Sequence, residues 1–184
     1  MLLDVTDADD APATAAAAAG GAAAFDRFYA ASAPRLVQQL RAMTGGDLAE
    51  AQDCVQEAFA RAWQRWPRVS GYEAPEAWVR TVAWRLAVSR LRRLRTAALA
   101  ARRRSADEVP DLSPDHVVLV SALRTLPPEQ RRAVVLHHLA DLSVQQIADE
   151  TGVPVGTVKA RLSRGRAALA AHLKDLDPQE GSRG

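Results

Sequence analysis

Residues 143–169, SVQQIADETGVPVGTVKARLSRGRAAL, decide how the rest of the chain is read. Ser143 suits the N-cap of a short helix, because its hydroxyl can accept from a free backbone N–H two or three residues on. That helix has Ile147 and Ala148 on its inner face. Gly152 follows where the chain must turn with positive φ, a conformation glycine adopts without a Cβ clash. Pro154 sets up entry into a second helix, in which Val158 and Leu162 face inward at i, i+4. A small residue, a turn glycine and a core valine at this spacing make a helix-turn-helix. The outward face of the second helix carries Thr157, Lys159, Arg161, Arg164 and Arg166, and no acidic residue occurs from Pro154 through Lys174. Such a face suits phosphates and guanine edges.

Working outward, the 184 residues divide by composition. Residues 1–24 are acidic and then Ala/Gly-rich and read as a disordered tail, with order beginning near Phe25. Residues 25–96 read as successive helices. Phe25, Phe28 and Tyr29, then Leu36, Val37 and Leu40, recur at helical spacing, and Gly45-Gly46 breaks the run. Asp47 is a candidate N-cap with Glu50 at the capping-box position. Val55, Phe59 and Ala62/Trp63 share a face of the next helix, Pro67 closes it, and Pro75-Glu76 opens another through Trp78, Val82 and Leu86. Residues 97–114, arginine-rich and then acidic with prolines, read as a flexible linker. Residues 115–174 are helical again, with Pro127-Pro128 opening one helix, and 175–184 read as a second tail. The expected fold is all-α: an N-terminal helical bundle and a C-terminal helix-turn-helix domain joined by the linker.

Charge placement says more than charge balance. The net charge is +2, and 22 of the 24 basic residues are arginine. Between Arg80 and Arg104 lie nine arginines and no acid, with Arg85, Ser89 and Arg92 along one helix face. Two separated basic surfaces imply a bipartite nucleic-acid target. Trp63 and Trp78 sit in line with apolar neighbours and read as core. Trp66, Tyr72 and Trp84 are more open and suited to stacking on unpaired bases. Asp53, Gln56 and Glu57 share a face at i, i+3, i+4, which by itself is a solvated acidic surface.

Other chemistry is poorly supported. One cysteine, Cys54, precludes an intramolecular disulfide and a Cys-based zinc site, and the four histidines lack metal spacing. No nucleophile–base pair or carboxylate cluster accompanies the basic surfaces, so no catalytic residue, metal or cofactor is expected. No apolar run has the length of a membrane span, and the N-terminus is the reverse of a signal peptide, so a cytoplasmic protein without membrane insertion is expected. On residues alone, a free-standing dimeric helix-turn-helix regulator stays open.

Four stretches in order resemble the extracytoplasmic-function (ECF) group of bacterial sigma factors: D-x-x-Q-E-A-F at 53–59, W-V-R-T-V-A-W-R-L-A-V-S-R-L-R-R at 78–93, L-P-P-E-Q-R at 126–131 and G-T-V-K-A-R-L at 156–162. The resemblance covers residues 25–173. It implies a transcription initiation factor, monomeric when free, that binds core RNA polymerase and promoter DNA and is not an enzyme. By resemblance, residues 25–96 would be region 2, binding a coiled coil of the largest polymerase subunit through Asp53, Gln56 and Glu57. The same domain would open the −10 element through Arg68, Tyr72, Arg85, Ser89, Arg92 and Arg93, with the loop 68–73 holding a flipped base. Residues 115–174 would be region 4, packing on the polymerase flap and reading the −35 element with Val155, Thr157, Lys159, Arg161, Arg164 and Arg166. The linker would thread toward the active-site and RNA-exit region. Many members are held by an anti-sigma protein between the two domains, and such a partner is among those implied, although no residue here points to it. The family often has Asn at the position of Arg85 and Asp at that of Ser89; arginine there favours phosphate attraction over base recognition.

Overall fold

A computed structural model describes residues 11–100 and 114–176, with side chains described over 20–94, 119–172 and at Lys174. The described residues form eight helices: α1 (Ala11–Thr44), α2 (Leu48–Trp63), α3 (Trp66–Val69), α4 (Pro75–Ala100), α5 (Pro114–Arg124), α6 (Pro128–His138), α7 (Val144–Thr151) and α8 (Val155–Leu176). The all-α expectation is met.

Helices α1 to α4 make the first bundle, with α2 packed between α1 and α4. Asp47 caps α2 by accepting from the Glu50 backbone N–H at 2.8 Å. The bundle buries Leu36, Leu40, Met43, Val55, Ala58, Phe59, Val69, Val79 and Ala83. Phe59 lies at its centre, its ring 4.8 Å from Tyr29, 5.6 Å from Phe28 and 6.2 Å from Phe25. Two aromatic expectations change here. Trp63, expected in the core, is 48% exposed, whereas Trp66, expected to be open, is buried. The reason is a break at Arg65 (φ −126°), which ends α2 at Trp63 and re-aims the chain so that α3 drives Trp66 against Phe25 and Phe28.

The expected boundaries also shift. Helix begins at Ala11 rather than near Phe25, since alanine forms helix from local propensity without needing a packed face. Of the linker expected at 97–114, residues 97–100 belong to α4 and Pro114 begins α5; residues 101–113, like 1–10 and 177–184, lie outside the described residues.

The second bundle is built on α6. Helix α8 lies along it, with Val158, Leu162 and Gly165 (i, i+4, i+7) as its buried stripe. At Gly165 the two helices approach closely: a Cβ there would stand 2.7 Å from Val134 Cγ2. Val134 is buried and β-branched, so it has little room to yield. Gly165→Ala is therefore expected to lower stability by about 1 kcal/mol net, overpacking outweighing the helix-propensity gain. Gly156→Ala, which meets nothing within 4 Å, is expected to gain up to about 1 kcal/mol. Chemical denaturation of the two variants reads the opposite signs.

The two bundles are not separate bodies. One continuous buried core runs through both, and α1 packs on α6 and α4 on α7. Buried polar groups cross the contact beside that core. Arg80 of α4, 5% exposed, reaches Glu150 of α7, whose side chain is 4% exposed: Nε donates to both carboxylate oxygens at 3.1 and 3.2 Å, and Nη2 donates at 3.0 Å. Its Nη1 donates to Gln39 Oε1 at 3.0 Å. Gln39 in turn donates to the Leu139 carbonyl. Arg131 and Arg124 donate to the Met43 and Gly45 carbonyls at the C-terminus of α1, at 2.8 and 2.7 Å. Those carbonyls end the helix without an intrahelical donor and carry partial negative charge, which suits guanidinium. Gly45, at φ +66°, leaves the space that Arg131 fills.

Candidate nucleic-acid and protein interfaces

The helix-turn-helix is α7 and α8. Ser143 accepts from Gln146 N while the Gln146 side chain accepts from Ser143 N, a reciprocal capping box. Gly152 turns the chain at φ +70°, and Ile147, Ala148, Val158 and Leu162 are buried between the helices. The buried stripe of α8 leaves two flanks. One carries Thr157, Arg161 and Arg164, the other Lys159 and Arg166, with Val155 in the first turn. Lys159, Arg164 and Arg166 are exposed, and Arg161, Thr157 and Val155 are half-buried. Arg161 Nη1 lies 3.0 Å from Glu129 Oε2 of α6, so its guanidinium is held at one nitrogen while the rest of the donor fork stays available. The six residues expected from sequence are thus divided between the two flanks of α8, three of them exposed and three half-buried.

On α4, Arg85, Ser89, Arg92 and Arg93 are all exposed, on the side away from buried Ala83 and Ala87. Arg93 Nη2 donates to Ser89 Oγ at 3.4 Å. Arg68 is exposed on α3 and Tyr72 is half-buried in the turn that follows. Arg80 departs from the expected basic surface: it is the buried partner of Glu150 and faces α7.

Asp53, Gln56 and Glu57 form an exposed row on α2, opposite buried Cys54, Val55, Ala58 and Phe59. Asp53 lies 3.7 Å from Arg90 and Glu57 2.9 Å from Arg61. Both pairs are solvent-screened and weak, so the carboxylates can exchange partners at little cost. The Cys54 thiol is pushed up from its usual range by burial, with Arg90 opposing.

Sequence reasoning missed the arginines between the bundles. Arg132 stacks over the Trp84 ring, its guanidinium carbon 4.7 Å from the centroid, and its Nε has no hydrogen-bond partner. Burial pulls its pKa below the ordinary arginine value; Glu150 and Glu129 oppose this, while Arg161 and Arg85 add to it. Nothing in the L-P-P-E-Q-R-R run marks these arginines as buried, because polar contacts across a sequence gap have no periodic signature. Among the described residues no group of His, Cys, Asp and Glu is placed to hold a metal ion, and no helix is long and apolar enough to cross a membrane.

Comparison with known proteins follows the same division. Residues 28–97 match the Sigma-70 region 2 family and residues 116–169 match Sigma-70, region 4. The chain is 32% identical over 140 residues to the RNA polymerase sigma-E factor of Streptomyces coelicolor, covering 71% of this chain and 77% of that protein. It is 33% identical over 140 residues to the ECF RNA polymerase sigma factor SigL of Mycobacterium tuberculosis, with 71% and 78% covered. Among solved structures it is similar in fold to the sigma factor RpoE in complex with the anti-sigma factor NepR from Bartonella quintana (TM-score 0.70, 24% identity, 82% of this chain and 96% of that one). It is also similar to CnrH in complex with the cytosolic domain of CnrY (TM-score 0.63, 25% identity, 88% and 94%).

Proposed function

The chain belongs to the ECF family of RNA polymerase sigma factors, and we propose that its two bundles divide the work of promoter recognition between them. As a member of that family it is an alternative sigma factor that directs promoter-specific transcription, and it is not an enzyme. In the proposed division, residues 25–96 act as region 2 and residues 115–174 as region 4. The exposed row Asp53, Gln56 and Glu57 docks on the coiled coil of the largest polymerase subunit. The α3–α4 surface, with Arg68, Tyr72, Arg85, Ser89, Arg92 and Arg93, engages the −10 element. Helix α8 reads the −35 element in the major groove, and its domain rests on the polymerase flap. Polymerase and promoter DNA place the protein in the cytoplasm, and the anti-sigma partners of its structural relatives support a similar inhibitor for this chain.

The observation that carries this reading is the acid-free outer face of α8, set by the capped and glycine-turned helix-turn-helix, on the same chain as a second exposed arginine row on α4. The test is transcription in a purified system. Chain plus core polymerase is expected to start RNA at a cognate promoter, while the chain alone binds the duplex weakly. Tight, sequence-specific duplex binding without polymerase would overturn it. Within that assay Arg161→Ala or Arg164→Ala is expected to cost about 1–3 kcal/mol at a −35 sequence if the side chain reads a base edge. If it touches phosphate instead, the loss is smaller and falls with added salt.

A further inference from the structure

Helix α8 contains no acid from Pro154 through Lys174, yet the fold brings one to it. Glu129 of α6 lies with its Oε2 3.0 Å from Arg161 Nη1. Its side chain is exposed, so it repels the phosphates of any duplex that α8 enters. A carboxylate in that place works against affinity, and the geometry indicates what it does instead.

Two features fix Glu129 where it stands. Pro127 and Pro128 set the backbone at the start of α6, and Glu129 is in the first turn, where the positive end of the helix dipole favours a carboxylate. Gly165 of α8 packs so closely on α6 that a Cβ there would meet Val134 Cγ2 at 2.7 Å and the Gln130 carbonyl oxygen at 3.6 Å. That contact locks the register of the two helices. It sets Arg161, one turn before Gly165, opposite Glu129, the residue before Gln130.

Arg161 is held differently from the other cations of its helix. Lys159 and Arg166 are exposed, and Arg164 is exposed and donates through Nε to the Ala160 carbonyl of its own helix at 3.2 Å. Arg161 is half-buried and is gripped by a side chain from another helix. Glu129 takes Nη1 and leaves the Nε–Nη2 edge, whose two parallel N–H donors match N7 and O6 of guanine. Arg161 also lies near enough to Arg132 to disfavour its charge. Repulsion from Arg132 and attraction to Glu129 together restrict where the guanidinium can go. An arginine without such restraint turns to the nearest phosphate, a contact that carries no sequence information.

We propose that Glu129 is a positioning residue for promoter reading: it holds Arg161 with one donor edge free for a guanine and keeps that side chain off the DNA backbone. The proposal rests on the assignment of α8 to the −35 element. Glu129 thereby exchanges affinity for discrimination.

The test uses the full chain bound to core polymerase and a promoter that this holoenzyme selects from a library randomised at −35. Binding is measured to that duplex, to duplexes with each −35 G·C pair replaced by A·T, and to one with the −35 scrambled, over a series of salt concentrations. Glu129→Ala is expected to lower discrimination at one G·C pair about fivefold, the free energy of an exposed ion pair. At the same time it is expected to raise affinity for the scrambled duplex and to steepen the slope of log K against log salt by about 0.9, one added phosphate contact. Glu129→Gln, which keeps an acceptor without the charge, is expected to retain part of the discrimination. In an Arg161→Ala background neither substitution is expected to change discrimination at that pair, because the side chain they position is gone. Undiminished discrimination in Glu129→Ala, where Arg161→Ala lowers it, would overturn the proposal. So would an equal loss of affinity for the selected and scrambled duplexes, which is what a merely structural role predicts. If Arg161→Ala itself leaves discrimination unchanged at every pair, the assignment of Arg161 to a base fails, and the proposal with it.

Discussion

Reversing both charges in Asp53→Lys/Glu57→Lys is expected to abolish association with core polymerase while the protein stays folded. The two carboxylates stand in one exposed row with Gln56, and of their present partners Arg61, at 2.9 Å, is exposed and Arg90, at 3.7 Å, is half-buried. Exposed pairs contribute at most about 1 kcal/mol each, so the bundle loses little when they are broken. At an interface the balance differs. Carboxylates that meet basic groups out of water are worth 2–5 kcal/mol or more apiece when disrupted, and reversal adds repulsion. The expected loss is therefore at least about a hundredfold in affinity, read by fluorescence anisotropy of labelled factor against core, with an unchanged melting curve. Unaltered core binding by the folded double variant would remove this surface from the polymerase interface.

The largest expected effect on stability belongs to Phe59→Ala. Its ring is 2% exposed and touches Phe25, Phe28 and Tyr29. Truncating a buried phenylalanine costs about 3–5 kcal/mol, part of it the cavity left behind and part the lost edge-to-face contacts. Against a typical 5–15 kcal/mol for a whole domain, that is enough to leave region 2 marginal. Trp63→Ala, one helical turn on, is expected to cost about 1 kcal/mol or less, since half of that indole already meets water. Equal losses at the two positions in urea unfolding would contradict the placement of Trp63 outside the core.

That contrast shows where the sequence was legible. Periodicity and caps are local signals, and they located α2, α6 and the helix-turn-helix, down to the Ser143 cap and the positive φ at Gly152. Phe59 and Trp63 are indeed i, i+4 on α2. What that spacing could not reveal was the break at Arg65, which ends α2 at that turn and hands the core position to Trp66. Exposed arginines on α4 and α8 follow from the same local logic, because the apolar stripe fixes which side is wet. Arg80 defeated it. Its position in an arginine-rich run suggests a solvated face, yet Glu150, seventy residues away, draws it under cover. Pairing across that distance depends on how the bundles meet, which no local window contains. The Ala-rich stretch carries no periodic signal for a different reason: alanine needs no face to bury in order to be helical.

The bond between Arg80 and Glu150 also limits how this chain can be taken apart and recombined. Regions 2 and 4 look like exchangeable modules, each matching its own family model over its own residues. A hybrid that kept α4 from this chain but took its helix-turn-helix from a relative lacking the carboxylate would enclose an unanswered guanidinium whenever its halves met, at a cost of about 3–5 kcal/mol. Its halves would stay apart. Parts that each fold correctly would then fail to pack on one another, and the ancestry of one domain would constrain which versions of the other it can accept.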